Sequence, residues 1–204
     1  HFAQDLEGLL DHLGIQQAYV GGLSMGGGIA TRFTILHPER VVALLIFDSF
    51  SASGLETPPE AHRIREEIIR LAETEGMAAV AEYCIKNNPN VSQTAALSKE
   101  QENRVRQMYL SLDPAGLAQS TRMISNAVLD ASLLEGITVP TLVLAGQQDG
   151  ALPACRLIHE KINGSQLVVI PDAGHLSNLD QPEAFNHAVL EFLDGQNKIR
   201  TFLV

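Results

Sequence analysis

Ala18-Tyr19-Val20-Gly21-Gly22-Leu23-Ser24-Met25-Gly26-Gly27-Gly28 joins an apolar segment to a glycine-rich turn and the start of a helix. A short apolar run ends in Gly22-x-Ser24-x-Gly26. It opens into Ile29, Ala30, Phe33 and Leu36, apolar residues at helical spacing that stop at His37-Pro38. The pattern predicts a strand, a tight turn carrying Ser24, and a helix. On such a strained turn the hydroxyl stands clear of the backbone, and glycines two before and two after let neighbouring segments approach without a Cβ in the way. The helix points its N-terminal N–H groups at the serine, where negative charge is favoured. The plainer alternative is a glycine-rich turn in which Ser24 only caps the helix.

The flanking sequence supports the first reading. Before the turn, Phe2, Leu6, Leu9, Leu10 and Leu13 share one face of a helix that ends at Gly14. After it, Val41 to Phe47 is a continuous apolar run of the kind buried on both faces of a parallel sheet, with Asp48 at its C-terminal end. Thr141 to Ala145 is a second such run, stopping at Gly146 with Asp149 in the loop beyond. Pro153 to Ile162 is helical, and Gln166 to Ile170 is a strand that leaves through Pro171-Asp172-Ala173-Gly174-His175. Gln181-Pro182 then opens a helix with Phe185, Val189, Phe192 and Leu193 inside. Strands alternating with helices predict an α/β fold with a doubly wound, mostly parallel sheet. In such sheets ligands gather at the carboxyl ends of strands, where Ser24, Asp149 and His175 all fall.

Between about Ser51 and Glu135 the pattern becomes one of polar amphipathic helices. Thr57-Pro58-Pro59 opens a helix whose apolar side is Ile64, Ile68, Leu71 and Ala72, and Gly76 ends it. Met77 to Ile85 is a second, closed by Asn87-Asn88-Pro89. Ser98-x-x-Gln101 is a capping-box signature for a third, with Val105, Met108 and Leu112 as its face, and Asp113-Pro114 opens a fourth. Because strands resume afterwards, residues 51–135 read as a helical lid inserted between core segments 1–50 and 136–204, and such a lid would shape the pocket and exclude water.

Composition narrows the function classes. The 204 residues are 45% hydrophobic without a run long enough to span a bilayer, which predicts one soluble main domain. A formal net charge of -10 without a Lys/Arg cluster disfavours nucleic acid and anionic membranes as partners, and favours small neutral substrates. Cys84 and Cys155 form no C-x-x-C pair and suit a reducing cytoplasm. No metal-ligand or cofactor motif is visible, and no secretory signal precedes the first helix.

A serine hydroxyl is a weak nucleophile at neutral pH, and needs a base within hydrogen-bond reach and a group to orient that base. Ser24, Asp149 and His175 occur in the order nucleophile, acid, histidine. Asp48 also ends a strand and is an alternative acid. The other histidines, at positions 1, 12, 37, 62, 159 and 187, fall on helices or their ends and read as surface residues. Gly22-Leu23-Ser24-Met25-Gly26-Gly27, Gly146-Gln147-Gln148-Asp149 and Pro171-Asp172-Ala173-Gly174-His175-Leu176-Ser177, followed by Gln181-Pro182-Glu183-Ala184-Phe185, resemble the α/β-hydrolase family. The tail of that pattern and the helical insertion are similar to its 3-oxoadipate enol-lactonase and small carboxylesterase branch. The resemblance implies a cofactor-free attack by Ser24 on an ester or lactone carbonyl, with His175 as base, Asp149 as its orienter and the Met25 backbone N–H as an oxyanion donor. A serine at the turn disfavours the branches of the family that use an aspartate there.

Nothing in the sequence corresponds to the family's leading strands or to the loop that supplies its other oxyanion N–H. The expectation is therefore a longer parent chain, or a homodimer, covering an exposed edge at Ala18 to Leu23. The alternatives to hydrolysis are a small-molecule-binding protein on the same fold and a perhydrolase or haloperoxidase side activity.

Overall fold

The computed structural model describes residues 1–50, 53, 55, 58–87, 98–126 and 129–201. The expected features at Ser51, Thr57 and Asn88-Pro89 lie outside them. The chain divides into two compact units, one of His1–Leu55 with Leu129–Val204, the other Glu56–Val128.

The first unit is built on four parallel strands, β1 (Ala18–Leu23), β2 (Val41–Phe47), β3 (Thr141–Gly146) and β4 (Gln166–Ile170), in the spatial order β1-β2-β3-β4. Period-two alternation gives each strand two faces. On one face Val20, Leu44, Ile46, Val143 and Ala145 pack against α1 (Phe2–His12), α2 (Met25–Leu36) and α7 (Leu152–Lys161), through Ala3, Leu10, Ala30, Phe33, Cys155 and Ile158. On the other, Ala43, Leu45, Leu142 and Leu144 meet Phe192 and the partly buried Phe185 and Val189 of α9 (Pro182–Thr201). Covering both faces is what makes β2 and β3 uninterrupted apolar runs. Short 3₁₀ turns at Pro38–Arg40 and Ala131–Gly136, and a four-residue helix α8 (Ser177–Asp180), complete the connections among the described residues.

Some helix faces differ from the periodicity. Leu10 is buried as expected and Leu6 packs on the core, but Leu9 and Leu13 are exposed and α1 buries Ala3 as well. In α2 Leu36 is exposed, while Thr31 and Thr34 are buried, their hydroxyls donating to the Gly27 and Ala30 carbonyls at 2.8 Å. Bonded back to its own helix, a threonine packs as a small apolar residue.

The second unit holds α3 (Pro59–Thr74), α4 (Met77–Asn87), α5 (Lys99–Leu110) and α6 (Pro114–Asn126). α3 packs on α4 and α6, and α4 on α5. The expected stripe Ile64, Ile68, Leu71 and Ala72 is buried, and Gly76, at φ 85, follows the end of α3. Ser98 forms the reciprocal capping box with Gln101. Val105 is buried as expected, but Met108 and Leu112 are exposed. No helix among the described residues is long and apolar enough to cross a membrane.

Candidate active site

Ser24 links β1 directly to α2 and has φ 54 and ψ -115, a conformation in which a non-glycine residue is strained by about 1–3 kcal/mol. Hydrogen bonds on both sides of the residue hold it there. Its N–H donates to the Phe47 carbonyl at 2.8 Å, and its own carbonyl accepts from the Ser49 hydroxyl at 2.7 Å and from the Gly27 N–H at 3.1 Å. A Cβ on Gly22 would stand 2.3 Å from the Gly26 carbonyl carbon, so the glycine before the turn is required for space. Gly26 itself has nothing within 4 Å of an added Cβ, which corrects the symmetrical reading of the two glycines. The crowded position on the helix side is Gly27, where a Cβ would meet Ser49.

His175 and Asp149 come from the loops after β4 and β3. Those loops are joined by backbone bonds, Gln147 N–H to the Ile170 carbonyl at 2.8 Å and Gln148 N–H to the Ala173 carbonyl at 2.9 Å. The Gly174 N–H donates to Asp180 Oδ2 at 2.8 Å, bracing the histidine loop against α8. His175 Nε2 lies 2.9 Å from Ser24 Oγ, and Nδ1 lies 3.1 and 3.2 Å from the two Asp149 oxygens. The Asp149 side chain has no exposed surface and the His175 side chain 12%. Asp149 Oδ1 also accepts from the Ala151 N–H at 3.0 Å, which fixes the carboxyl in its loop. Met25 is the first residue of α2, so its N–H belongs to the first turn, whose donors have no partner within the helix.

Ser24, His175 and Asp149 therefore meet in one hydrogen-bonded line, with Met25 next to the hydroxyl. Asp48 does not join it. Its Oδ1 accepts from the Gly146 N–H at 2.8 Å and its Oδ2 from the Ser177 hydroxyl, with no bond to His175. Burial is the main cause that pushes the Asp48 carboxyl up to about 7, against the lowering effect of those two donors; Asp149 nearby raises it further and His175 lowers it. The Cys155 thiol donates to the Ser49 carbonyl, and burial pushes it up to about 12, so it is an inert packing group. The sequence reading missed the supporting hydroxyls of Ser49 and Ser177. The only signal for them was position, next to a strand-end aspartate and two residues after the histidine.

The arrangement matches known proteins along most of its length. The profile of the Alpha/beta hydrolase family matches residues 1–188. A Bacillus subtilis (strain 168) protein, provisionally named as a 2-succinyl-6-hydroxy-2,4-cyclohexadiene-1-carboxylate synthase, is 32% identical, the match covering 93% of this chain and 70% of that protein. The 3-oxoadipate enol-lactonase 2 of Acinetobacter baylyi is 30% identical, with 91% and 67% covered. Among solved structures, a thermophilic esterase from Thermogutta terrifontis superposes with a TM-score of 0.81 at 34% identity, covering 95% of this chain and 71% of that one. The enol-lactonase from Burkholderia xenovorans LB400 gives 0.80 at 27%, with 94% and 71% covered. With its family profile matched over most of its length and its fold superposing on these structures, the chain belongs to the α/β-hydrolase family of enzymes.

Proposed function

We propose that the protein is a serine hydrolase of small carboxylic esters or lactones. The observation that carries the reading is the line Ser24 Oγ–His175 Nε2 at 2.9 Å, continued by Nδ1 on the buried Asp149 carboxyl. In the proposed reaction Ser24 Oγ attacks the carbonyl carbon while His175 Nε2 takes the hydroxyl proton, and Asp149 holds the imidazole and stabilises its charged form. The oxyanion is met by the Met25 N–H and the N-terminal end of α2. Collapse expels the alkoxide, which receives the proton from His175. Water, deprotonated by the same nitrogen, then releases the acid and restores Ser24. The lactonase- and esterase-named relatives support this substrate class.

Intact mass after treatment with a fluorophosphonate should show one adduct, absent in Ser24→Ala, together with multiple turnover of a short p-nitrophenyl ester. An unlabelled native protein would end the proposal. A second reading is favoured by the synthase-named relative, in which the same line removes a proton from the substrate without an acyl-enzyme. It predicts labelling without ester turnover.

Cys84 and Cys155, both buried and in no disulfide, support placing the protein in the reducing cytoplasm. Because β1 is an edge of the sheet among the described residues, we also propose that another strand, from a second copy or from additional chain, pairs with it.

A further inference from the structure

We infer that Asp48 is a positioning residue for the Ser24–His175–Asp149 line, its carboxyl fastening the loop that carries Asp149 to the loop that carries His175. The inference rests on the hydrolase reading above. Asp48 ends β2, the strand between the one that leads to Ser24 and the one that leads to Asp149. Its backbone is in the left-handed region at φ 46, with its N–H on the Leu144 carbonyl at 2.8 Å, so the residue leaves the strand at the level of the neighbouring strand's end.

The two donors on its carboxyl come from different segments, the last residue of β3 and the first of α8, which flank the two loops. Gly146 stands three residues before Asp149, and Ser177 two residues after His175. Asp48 and Ser177 are both fully buried. A buried carboxyl is costly to desolvate, and the rise of this one to about 7 expresses that cost. An apolar side chain would avoid it, but would strand the Gly146 N–H and the Ser177 hydroxyl without partners. Asp48 thus offsets two buried polar deficits with one side chain, and in doing so bridges the acid loop and the histidine loop beneath the line they form.

The bridge consists of accepted hydrogen bonds, so an amide can replace the carboxyl. Its oxygen takes the Gly146 N–H and its NH₂ donates to Ser177 Oγ. Asp48→Ala should lower kcat by about 10- to 100-fold, as misplacement of reacting groups does, with KM changed by less than about twofold. Asp48→Asn should recover kcat to within about threefold of the native protein, the geometry being kept. Ser177→Ala opens one side of the bridge and should cost kcat about three- to tenfold, while the Asp48→Ala/Ser177→Ala pair should be no worse than Asp48→Ala alone, since Ser177 acts through Asp48.

Proton NMR supplies a readout that needs no turnover. The far-downfield resonance of the His175 Nδ1 proton, set by its bond to Asp149, should move or vanish in Asp48→Ala and Ser177→Ala and stay in Asp48→Asn. The inference is overturned if Asp48→Ala melts earlier with kcat and that resonance unchanged, or if Asp48→Asn loses as much as Asp48→Ala. Should Asp48→Ala fail to fold, Ser177→Ala decides by the same two readings. A native protein that shows the resonance but no fluorophosphonate label would sink the hydrolase reading alone.

Discussion

Replacing Gly146 with alanine tests whether the meeting of two loops, and not chemistry at the serine, sets the geometry of the site. An ideal Cβ at this residue would lie 2.2 Å from the Gly174 carbonyl oxygen and 2.4 Å from that of Ala173, both backbone atoms that no rotamer change can clear. Real contacts of this kind begin above 3.0 Å, so one loop must retreat by roughly 1 Å, the scale of misplacement that costs about 10²-fold in turnover. Asp149 follows Gly146 by three residues and His175 follows Gly174 directly, so the retreat falls on the Asp149–His175 bonds of 3.1 and 3.2 Å. Overpacking of this sort destabilises by about 1–3 kcal/mol, which for a chain of this size lowers the melting temperature by about 2–12 °C. Gly150, in the same loop, has nothing within 4 Å of an added Cβ and serves as the control. The assay is kcat on a short p-nitrophenyl ester, with thermal melts followed by circular dichroism. If Gly146→Ala keeps kcat and melting temperature indistinguishable from Gly150→Ala, the crowding argument is wrong.

Two other outcomes follow from the carboxylates. Asp149→Asn should lower kcat by about 10⁴-fold, because an amide cannot hold the imidazole in the tautomer that leaves Nε2 free to accept a proton; a loss smaller than that of Asp48→Asn would mean that the acid is misassigned. Asp48 should also make stability depend on pH. Its folded value of about 7 exceeds the value near 3.9 of an unfolded aspartate, so from about pH 4 to 7 the folded state keeps a proton that the unfolded chain has released. The stability linked to that proton is complete below about pH 4 and is lost as pH rises through about 7, by at most about 1.4 kcal/mol per pH unit. Asp149 and His175 press on this titration from the neighbouring loops in opposite directions, and Cys155 faces it from α7. The melting temperature of Asp48→Asn relative to the native protein should therefore rise between pH 4 and 7. A difference that stays flat would show that Asp48 is not protonated in the folded state.

Why some of this was readable in the chain and some not comes down to which forces are local. β2 and β3 are buried on both faces, so their sequences are apolar without interruption and their ends are marked by Asp48 and Gly146. Ser24, Asp149 and His175 were placed at strand ends by counting strands, and parallel strands put those ends at one edge. Helix faces were harder, because a leucine contributes to periodicity whether or not a neighbour covers it. Leu9, Leu13, Leu36 and Met108 fit the period and are exposed, while Thr31 and Thr34 are polar and buried. Asp48 follows β2 and Asp149 follows β3, so position alone left Asp48 as an alternative to the Asp149 that the family resemblance implies. Only the donors that each carboxyl meets separate them, and those come from residues distant in sequence, such as Ser177 from Asp48.

β2 and β3 are neighbours in the sheet, Leu44 beside Thr141 and Phe47 beside Leu144, although the whole of Glu56–Val128 lies between them in the chain. In entropy terms that separation is cheap, because the cost of closing a loop grows with the logarithm of its length, about 0.6 kcal/mol for each doubling. Chain length between Leu55 and Leu129 can therefore vary widely while the strand ladder, and the side chains at its ends, stay in register. The kinetic consequence is less even-handed. Asp149 and His175 are 26 residues apart, with only α7 and β4 between them, so their contact closes a short loop. Ser24 is 151 residues from His175, and distant pairings form slowly because their closure entropy is spent before any contact repays it. Contact order therefore predicts that the imidazole meets its carboxyl before the hydroxyl reaches it.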